Sequence, residues 1–208
     1  MARAAKAPLP SRPTLAALRE AAASCRACDL YKRGTQTVFG VGARGADLML
    51  VGEQPGNDED LAGKPFVGPA GKLLDHGLEA AGIERSDTYV TNAVKHFKWE
   101  PRGKRRIHKK PNTTEMVACR PWLESEIAAV QPKLVVCLGA TAAQSLLGAA
   151  LRVTRDRGKI VDTAYGVPAM ATVHPSSLLR APDDETRRAE TRRFIADLAI
   201  ARRFIERS

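Results

Sequence analysis

The sequence predicts an α/β fold, a three-layer αβα sandwich around a central, mainly parallel four-stranded sheet. Two observations carry that expectation. Four short apolar runs, 47–52, 88–94, 133–138 and 169–173, have strand length and end in polar or Gly/Pro-containing turns. Stretches with apolar residues at helical spacing separate them, and alternating strands and helices imply a parallel sheet covered on both faces. No internal repeat or linker interrupts the 208 residues, so 1–208 reads as a single domain with a substantial core.

In chain order, residues 1–13 read as a flexible lead-in. Thr14 caps a helix through about Ser24, with Leu15, Leu18 and Ala22 on one face. Cys25-Arg26-Ala27-Cys28 follows in a loop, and 29–46 is irregular. The first strand ends at Gly52-Glu53-Gln54-Pro55-Gly56, and a long loop is expected from Asn57 to Pro69. The spacing of Leu73, Leu74, Leu78 and Ala81 predicts a helix over 70–81, closed by Gly82 in a left-handed cap. After the second strand, Lys98 to Lys110 is a basic insertion. A helix over 113–130 precedes the third strand, and Gly139 leads into a short helix at 141–147. Residues 149–168 are polar, with a short strand at 159–162. The fourth strand runs into His174-Pro175-Ser176-Ser177, and a last helix spans 184–207.

The formal net charge is +10 and the sequence pI about 9.8; Arg supplies 22 of the 33 basic residues. Arg forks match phosphate geometry, so a polyanion is the expected partner. No apolar run approaches the roughly 18 residues of a membrane span. The N-terminus lacks the apolar length of a signal peptide. A cytoplasmic location follows, nucleoid-associated when on DNA, and the four cysteines are then not expected to form disulfides.

Cys25, Cys28, Cys119 and Cys137 can hold a tetrahedral zinc or an iron–sulfur cluster. The competing reading is a CxxC of accidental spacing plus two core cysteines. Spacing does not separate zinc from iron.

In open α/β sheets, ligands bind outside the carboxyl ends of the strands. Gly52–Gly56, Asn92 and His174 all sit at such ends, so they are expected on one edge. Together with the CxxC and two distant cysteines, the Lys64–Gly71 segment, Val90-Thr91-Asn92, Leu138-Gly139 and His174-Pro175-Ser176, they resemble one family. It is the iron–sulfur, family-four-like branch of the uracil-DNA glycosylase superfamily. Two features depart from the ordinary pattern: Gln54 stands where Ala is usual, and Lys104-Arg105-Arg106-Ile107-His108 is inserted. Both are similar to the UdgX branch, whose members become covalently joined to uracil-containing DNA through a His in that loop.

The resemblance implies a four-iron, four-sulfur (4Fe-4S) cluster on Cys25, Cys28, Cys119 and Cys137. It implies His108 as the residue that joins the DNA, and uracil-containing DNA as the partner, single-stranded in preference, bound by a monomer. It further implies a pocket in which Gln54, Phe66, Asn92 and His174 contact uracil. The Asn92 amide accepts from the uracil ring N–H and donates to its carbonyl, a pattern that cytosine reverses. Phe66 stacks on the flipped base, and His174 bonds the leaving oxygen. Glu53 either assists water, as in ordinary relatives, or supports His108. Lys104, Arg105, Arg106, Ser176, Ser177 and Arg180 are the expected DNA contacts. The competing readings are a turn Asn, a core Phe, a structural His and a solvated basic loop. Tyr89 is expected in the core, His76 on the surface, and His96 is unassigned. Beside single-turnover capture stand two alternatives: ordinary turnover, and a non-catalytic DNA-binding module.

Overall fold

The computed structural model describes residues 7–208. In order the elements are α1 (Leu15–Ala23), β1 (Leu48–Gly52), α2 (Asn57–Ala62), α3 (Pro69–Ala80), β2 (Thr88–Asn92), β3 (Trp99–Arg102), β4 (Arg105–His108) and α4 (Thr113–Val130). They continue with β5 (Leu134–Leu138), α5 (Ala140–Leu147), α6 (Val153–Asp156), β6 (Ile160–Val161), β7 (Ala169–Thr172), α7 (Pro175–Leu179) and α8 (Asp184–Ile205). Of the lead-in expected to be flexible, 1–6 lie outside the described residues, and 7–13 carry no helix or strand. Thr14 caps α1 as expected, its hydroxyl accepting from Ala17 N.

One sheet has the order β2-β1-β5-β7-β6. The four strands expected from the sequence are β2, β1, β5 and β7, and all their pairings are parallel. The four-stranded expectation is corrected by one: β6 adds a fifth, antiparallel edge strand where the 159–162 strand was anticipated. Alternation along the strands supplies two cores. Leu48, Leu50, Leu134 and Val136 face α3 and α8, meeting Leu74, Leu78, Phe194 and Leu198. Met49, Val51, Val135 and Cys137 face the other way, toward Leu123, Ile127, Ala142 and Ala143 of α4 and α5. A third apolar cluster joins α1, the segment after it and α4 through Leu18, Ala22, Phe39, Val94 and Trp122.

Two loop expectations need revision. The 57–69 stretch holds α2, begun by Gly56, with Glu59 accepting from Gly56 N at 3.0 Å. The basic insertion is a two-stranded hairpin, β3 pairing with β4 from Trp99↔His108 to Arg102↔Arg105. Gly103, at φ +59°, makes its tight turn. After β7 the chain turns at once into α7, with Pro175 at its first position.

Candidate active site

Parallel pairing sets Gly52 opposite Asn92 and Leu138 opposite Thr172, so four strand ends share one edge of the sheet. A cavity of about 760 Å³ opens there. Glu53, Gln54, Phe66, Asn92, His108, His174, Ser176, Ser177 and Arg180 all line it, with Leu138, Gly139 and Thr141 between them. Residues far apart in sequence converge because each follows a strand of one sheet, or sits on a loop held against it.

Asn92 is buried at the end of β2, and no described residue hydrogen-bonds its side-chain amide. Its carbonyl accepts from Lys95 Nζ at 2.7 Å. Lys95 is 1% exposed and pairs with Glu126, which is wholly buried. Glu126 also accepts from Gly40 N, Tyr89 Oη and Thr91 Oγ1. Tyr89 is core, as expected, and burial, reinforced by this carboxylate, pushes its hydroxyl pKa upward. A free amide thus projects from a backbone fixed by a buried ion pair.

Gly52 has to be glycine for the pocket to close. A Cβ there would lie 2.3 Å from Asn92 Oδ1 and 2.6 Å from the Phe66 ring. We expect Gly52→Ala to cost about 1–3 kcal/mol of stability as the core shifts around the methyl. It should also displace both side chains, lowering base affinity more than phosphate affinity. Binding of a uracil oligonucleotide against an undamaged one separates the two effects. Phe66 itself sits at φ +56°, a conformation that non-glycine residues seldom adopt. Its ring stacks on His174 with centroids 5.7 Å apart.

His174 caps α7 with its own ring. Nδ1 accepts from Ser176 N at 3.1 Å, so the proton of the neutral ring is on Nε2. Burial, with help from Arg180 and His108, lowers its pKa to about 4, so the neutral form holds throughout ordinary conditions. Nε2–H is left as a neutral donor. Ser176 Oγ lies 2.8 Å from His174 Nδ1, and Ser177 Oγ donates to His174 O. In the structure these two hydroxyls hold His174. Arg180 bonds Ser176 Oγ but keeps an exposed head at the rim.

Glu53 is oriented by Thr141, whose hydroxyl donates to its Oε2. Its Oε1 lies 3.5 Å from His108 Nε2. His108 ends β4, half exposed, beside the Phe97 ring. Burial lowers its pKa from the ordinary 6.5; Glu53 opposes that and Arg180 adds to it.

The hairpin that carries His108 is clamped at both ends. The Gln54 amide donates to Lys98 O and Lys109 O, and its oxygen accepts from Lys98 N. Gln54, 6% exposed, therefore holds the hairpin through its amide while it also lines the cavity. Arg106 turns inward to the wholly buried Asp60 at 2.6 Å, bonds Asn57 and lies over Phe97 and Trp99. The DNA contact expected of Arg106 is corrected to a clamp. Lys104 and Arg105 remain exposed at the hairpin tip.

A model of the uracil DNA glycosylase superfamily matches residues 39–199, most of the chain. The chain belongs to that superfamily. It is 39% identical over 166 residues to the type-4 uracil-DNA glycosylase of Archaeoglobus fulgidus, covering 76% of this chain and 80% of that one. It is 37% identical over 184 residues to the type-4 uracil-DNA glycosylase of Thermotoga maritima, covering 88% and 90%. A type-5 uracil-DNA glycosylase of Pyrobaculum aerophilum is 30% identical over 151 residues, with 64% and 62% covered.

In this superfamily member the four cysteines do not gather. Cys25, Cys28 and Cys119 share the cluster between α1 and α4. Burial, together with the other two thiols, pushes the Cys119 pKa up to about 12, against the pull of Lys95. Trp122 Nε1 donates to Cys25 Sγ at 3.3 Å, and Lys95 N to Cys119 Sγ at 3.2 Å. Cys137 is wholly buried in β5, opposite Val51 and Ala171, and belongs to a different core. Burial alone raises its pKa to about 12. Its expected role as a ligand is corrected to a core residue. Among the described residues no three His, Cys, Asp or Glu side chains converge on one metal ion position. Ligands of a four-iron cluster bind separate irons, so they stand further apart than ligands of a single ion.

Sequence reasoning missed Thr141, Glu59 and Asp60. Glu59 ties the Gly56 and Gly68 amides together, bracing both turns. Its position three residues after a helix start was the available signal. His76 is exposed, as expected, and His96 is buried. No helix among the described residues is long and apolar enough to cross a membrane.

Proposed function

We propose that this protein is a uracil-DNA glycosylase of the UdgX type, which excises uracil from DNA and then joins the exposed sugar through His108. The observation that carries the reading is the His108 Nε2–Glu53 Oε1 approach of 3.5 Å, on the wall of a cavity that also presents Asn92, Phe66 and His174. The names of the similar glycosylases support base excision; the clamped hairpin supports capture.

The base leaves the stack and enters the cavity, a step that costs least from a single strand. Phe66 stacks on it, and the Asn92 amide accepts from the ring N–H and donates to the adjacent carbonyl. The bond from C1′ to the base nitrogen then breaks, and its electron pair leaves with uracil. His174 Nε2–H bonds the oxygen on which that charge collects. Glu53 faces the positive sugar. As Glu53 takes the Nε2 proton of His108, the freed lone pair closes on C1′. The product is a carbon–nitrogen bond, so one chain processes one uracil. Lys104, Arg105 and Arg180 are the cations left to meet phosphates. Cys25, Cys28 and Cys119 would hold three corners of a 4Fe-4S cluster, whose role there is to tie α1 and its following turn to α4.

Incubation with uracil-containing single-stranded DNA should give a species that survives denaturing electrophoresis. Free uracil accumulating in excess of protein, with no such species, contradicts capture and favours Glu53-assisted water. Neither product from any uracil DNA leaves a non-catalytic binding module.

The pH dependence follows from the lowered His108 pKa. The neutral ring is present at pH 7, and the rate of adduct formation should be flat there. Below the ordinary histidine value of about 6.5 it should fall, approaching tenfold per pH unit once His108 is protonated. Single-turnover rates across that range check the sign; a rate that rises in acid contradicts a neutral His108.

A further inference from the structure

We infer that Trp99 is a positioning residue for capture: its indole N–H ties the hairpin to Arg33 and so holds His108 against Glu53. This rests on His108 as the group that joins the sugar. Trp99 and His108 are directly opposed across β3 and β4, so their side chains share one face of the hairpin. Phe97, two residues before Trp99, and Arg106, two before His108, take that same face. It is the face turned to the protein. Phe97 is 1% exposed, and the Arg106 guanidinium lies over both rings, 5.4 Å from the Phe97 centroid and 5.5 Å from that of Trp99.

The tether runs from Trp99 Nε1–H to Arg33 O at 2.9 Å. Its acceptor is backbone, and that backbone is fixed. Arg33 closes the 3-10 turn Asp29–Lys32, its N–H donating to Leu30 O at 3.1 Å. Just beyond it, Thr35 donates to Asp60 from its N at 2.9 Å and from its hydroxyl at 2.7 Å. The segment that receives Trp99 therefore also braces the acid that receives Arg106. The indole is a rigid donor, so little freedom is left once it is bonded.

The tether matters because the other bonds leave a swing. Those from the Gln54 amide meet Lys98 and Lys109, all at the root of the hairpin, and bonds at a root act as a hinge. Beyond the root, β4 is held by Arg106 and β3 by Trp99. Among the described residues, no other side chain of β3 bonds outside the hairpin; Glu100 pairs with Lys109 within it. His108 stands one residue from the hinge, so a tilt of the strand turns its ring away from Glu53, 3.5 Å from it in the held position. A misplacement of that kind is enough to slow a bond-forming step. The sugar cation then has a second partner. Glu53, still held by Thr141, takes a proton from water, the water oxygen closes on C1′, and abasic DNA leaves a free protein. Trp99 thus sets the partition between adduct and turnover, not the rate of base release.

The test uses the full chain and a uracil-containing single-stranded oligonucleotide. It measures adduct and abasic DNA in the same first-turnover reactions, beside hydrogen–deuterium exchange of the free protein. Trp99→Phe keeps a ring over Arg106 and loses only the N–H. Its ratio of adduct to abasic DNA should fall roughly two- to tenfold, the range for one hydrogen bond, with the rate of uracil release unchanged. Trp99→Ala also loses the ring over Arg106 and should fall further. Arg33→Ala leaves the acceptor carbonyl in place and removes only a 3.5 Å contact from its guanidinium to Trp99 O, so it should match the wild type. Amide exchange across 99–109 should quicken in Trp99→Phe and stay unchanged in the central sheet. A ratio unchanged in both Trp99 variants overturns the positioning role and leaves capture by His108 standing. Slower uracil release at an unchanged ratio overturns it too, by placing Trp99 in base binding. A wild type that forms no adduct overturns capture; quickened exchange in Trp99→Phe then still supports the tether, and unchanged exchange overturns both.

Discussion

His108→Ser should abolish the covalent product, lowering its yield on the order of 10³-fold or more, the scale of removing a nucleophile. Serine keeps a small polar group at the end of β4 but cannot present a ring nitrogen to the Glu53 carboxylate. Phe66, Asn92 and His174 lie on other elements, so base recognition should persist. The space vacated beside Glu53 admits water, and Glu53, still held by Thr141, can direct it at C1′. Released uracil should then exceed the amount of protein, whereas for the wild type it should stop at one per chain. Denaturing gels and uracil quantification on one set of reactions read both outcomes. An adduct that persists in His108→Ser would assign the bond to another residue.

Lys95→Met should destabilise the fold by about 3–5 kcal/mol, because it strands the Glu126 carboxylate in a site without water. For a chain of this size each kcal/mol moves Tm by roughly 2–4 °C, so a fall of roughly 6–20 °C is expected. The double variant Lys95→Met/Glu126→Gln should recover part of the loss. A neutral amide oxygen still accepts from Gly40 N, Tyr89 and Thr91 without a buried charge. Thermal melts of the two variants check the order. A single variant as stable as the wild type would mean that Glu126 is protonated in the fold and carries no charge to strand.

Much of this was legible in the sequence, and the exceptions have physical reasons. The strands read correctly because a parallel strand buried on both faces is a continuous apolar run, as Leu48–Val51 and Leu134–Leu138 are. The convergence of Glu53, Asn92 and His174 on one cavity read correctly because the strands that carry them are parallel and end on one edge. Arg106 did not, because the acid that claims it, Asp60, lies 46 residues away and a basic run looks the same whether it faces DNA or its own fold. Gln54 was singled out as unusual, but its partners are backbone groups of Lys98 and Lys109, which no residue pattern exposes. That Ser176 and Ser177 brace His174 did not read from the sequence either, although the ring they hold is at most three residues away. Cys137 was misassigned because spacing carries no information about which face of a strand a side chain takes.

The central claim is that His108 replaces water as the nucleophile. Its most direct test is the intact mass of the protein after mixing with a uracil-containing oligonucleotide, followed by peptide mapping of the product. One species is expected at the mass of protein plus DNA less uracil, with the attachment on the peptide containing His108. Unmodified protein beside abasic DNA formed over many turnovers would contradict it.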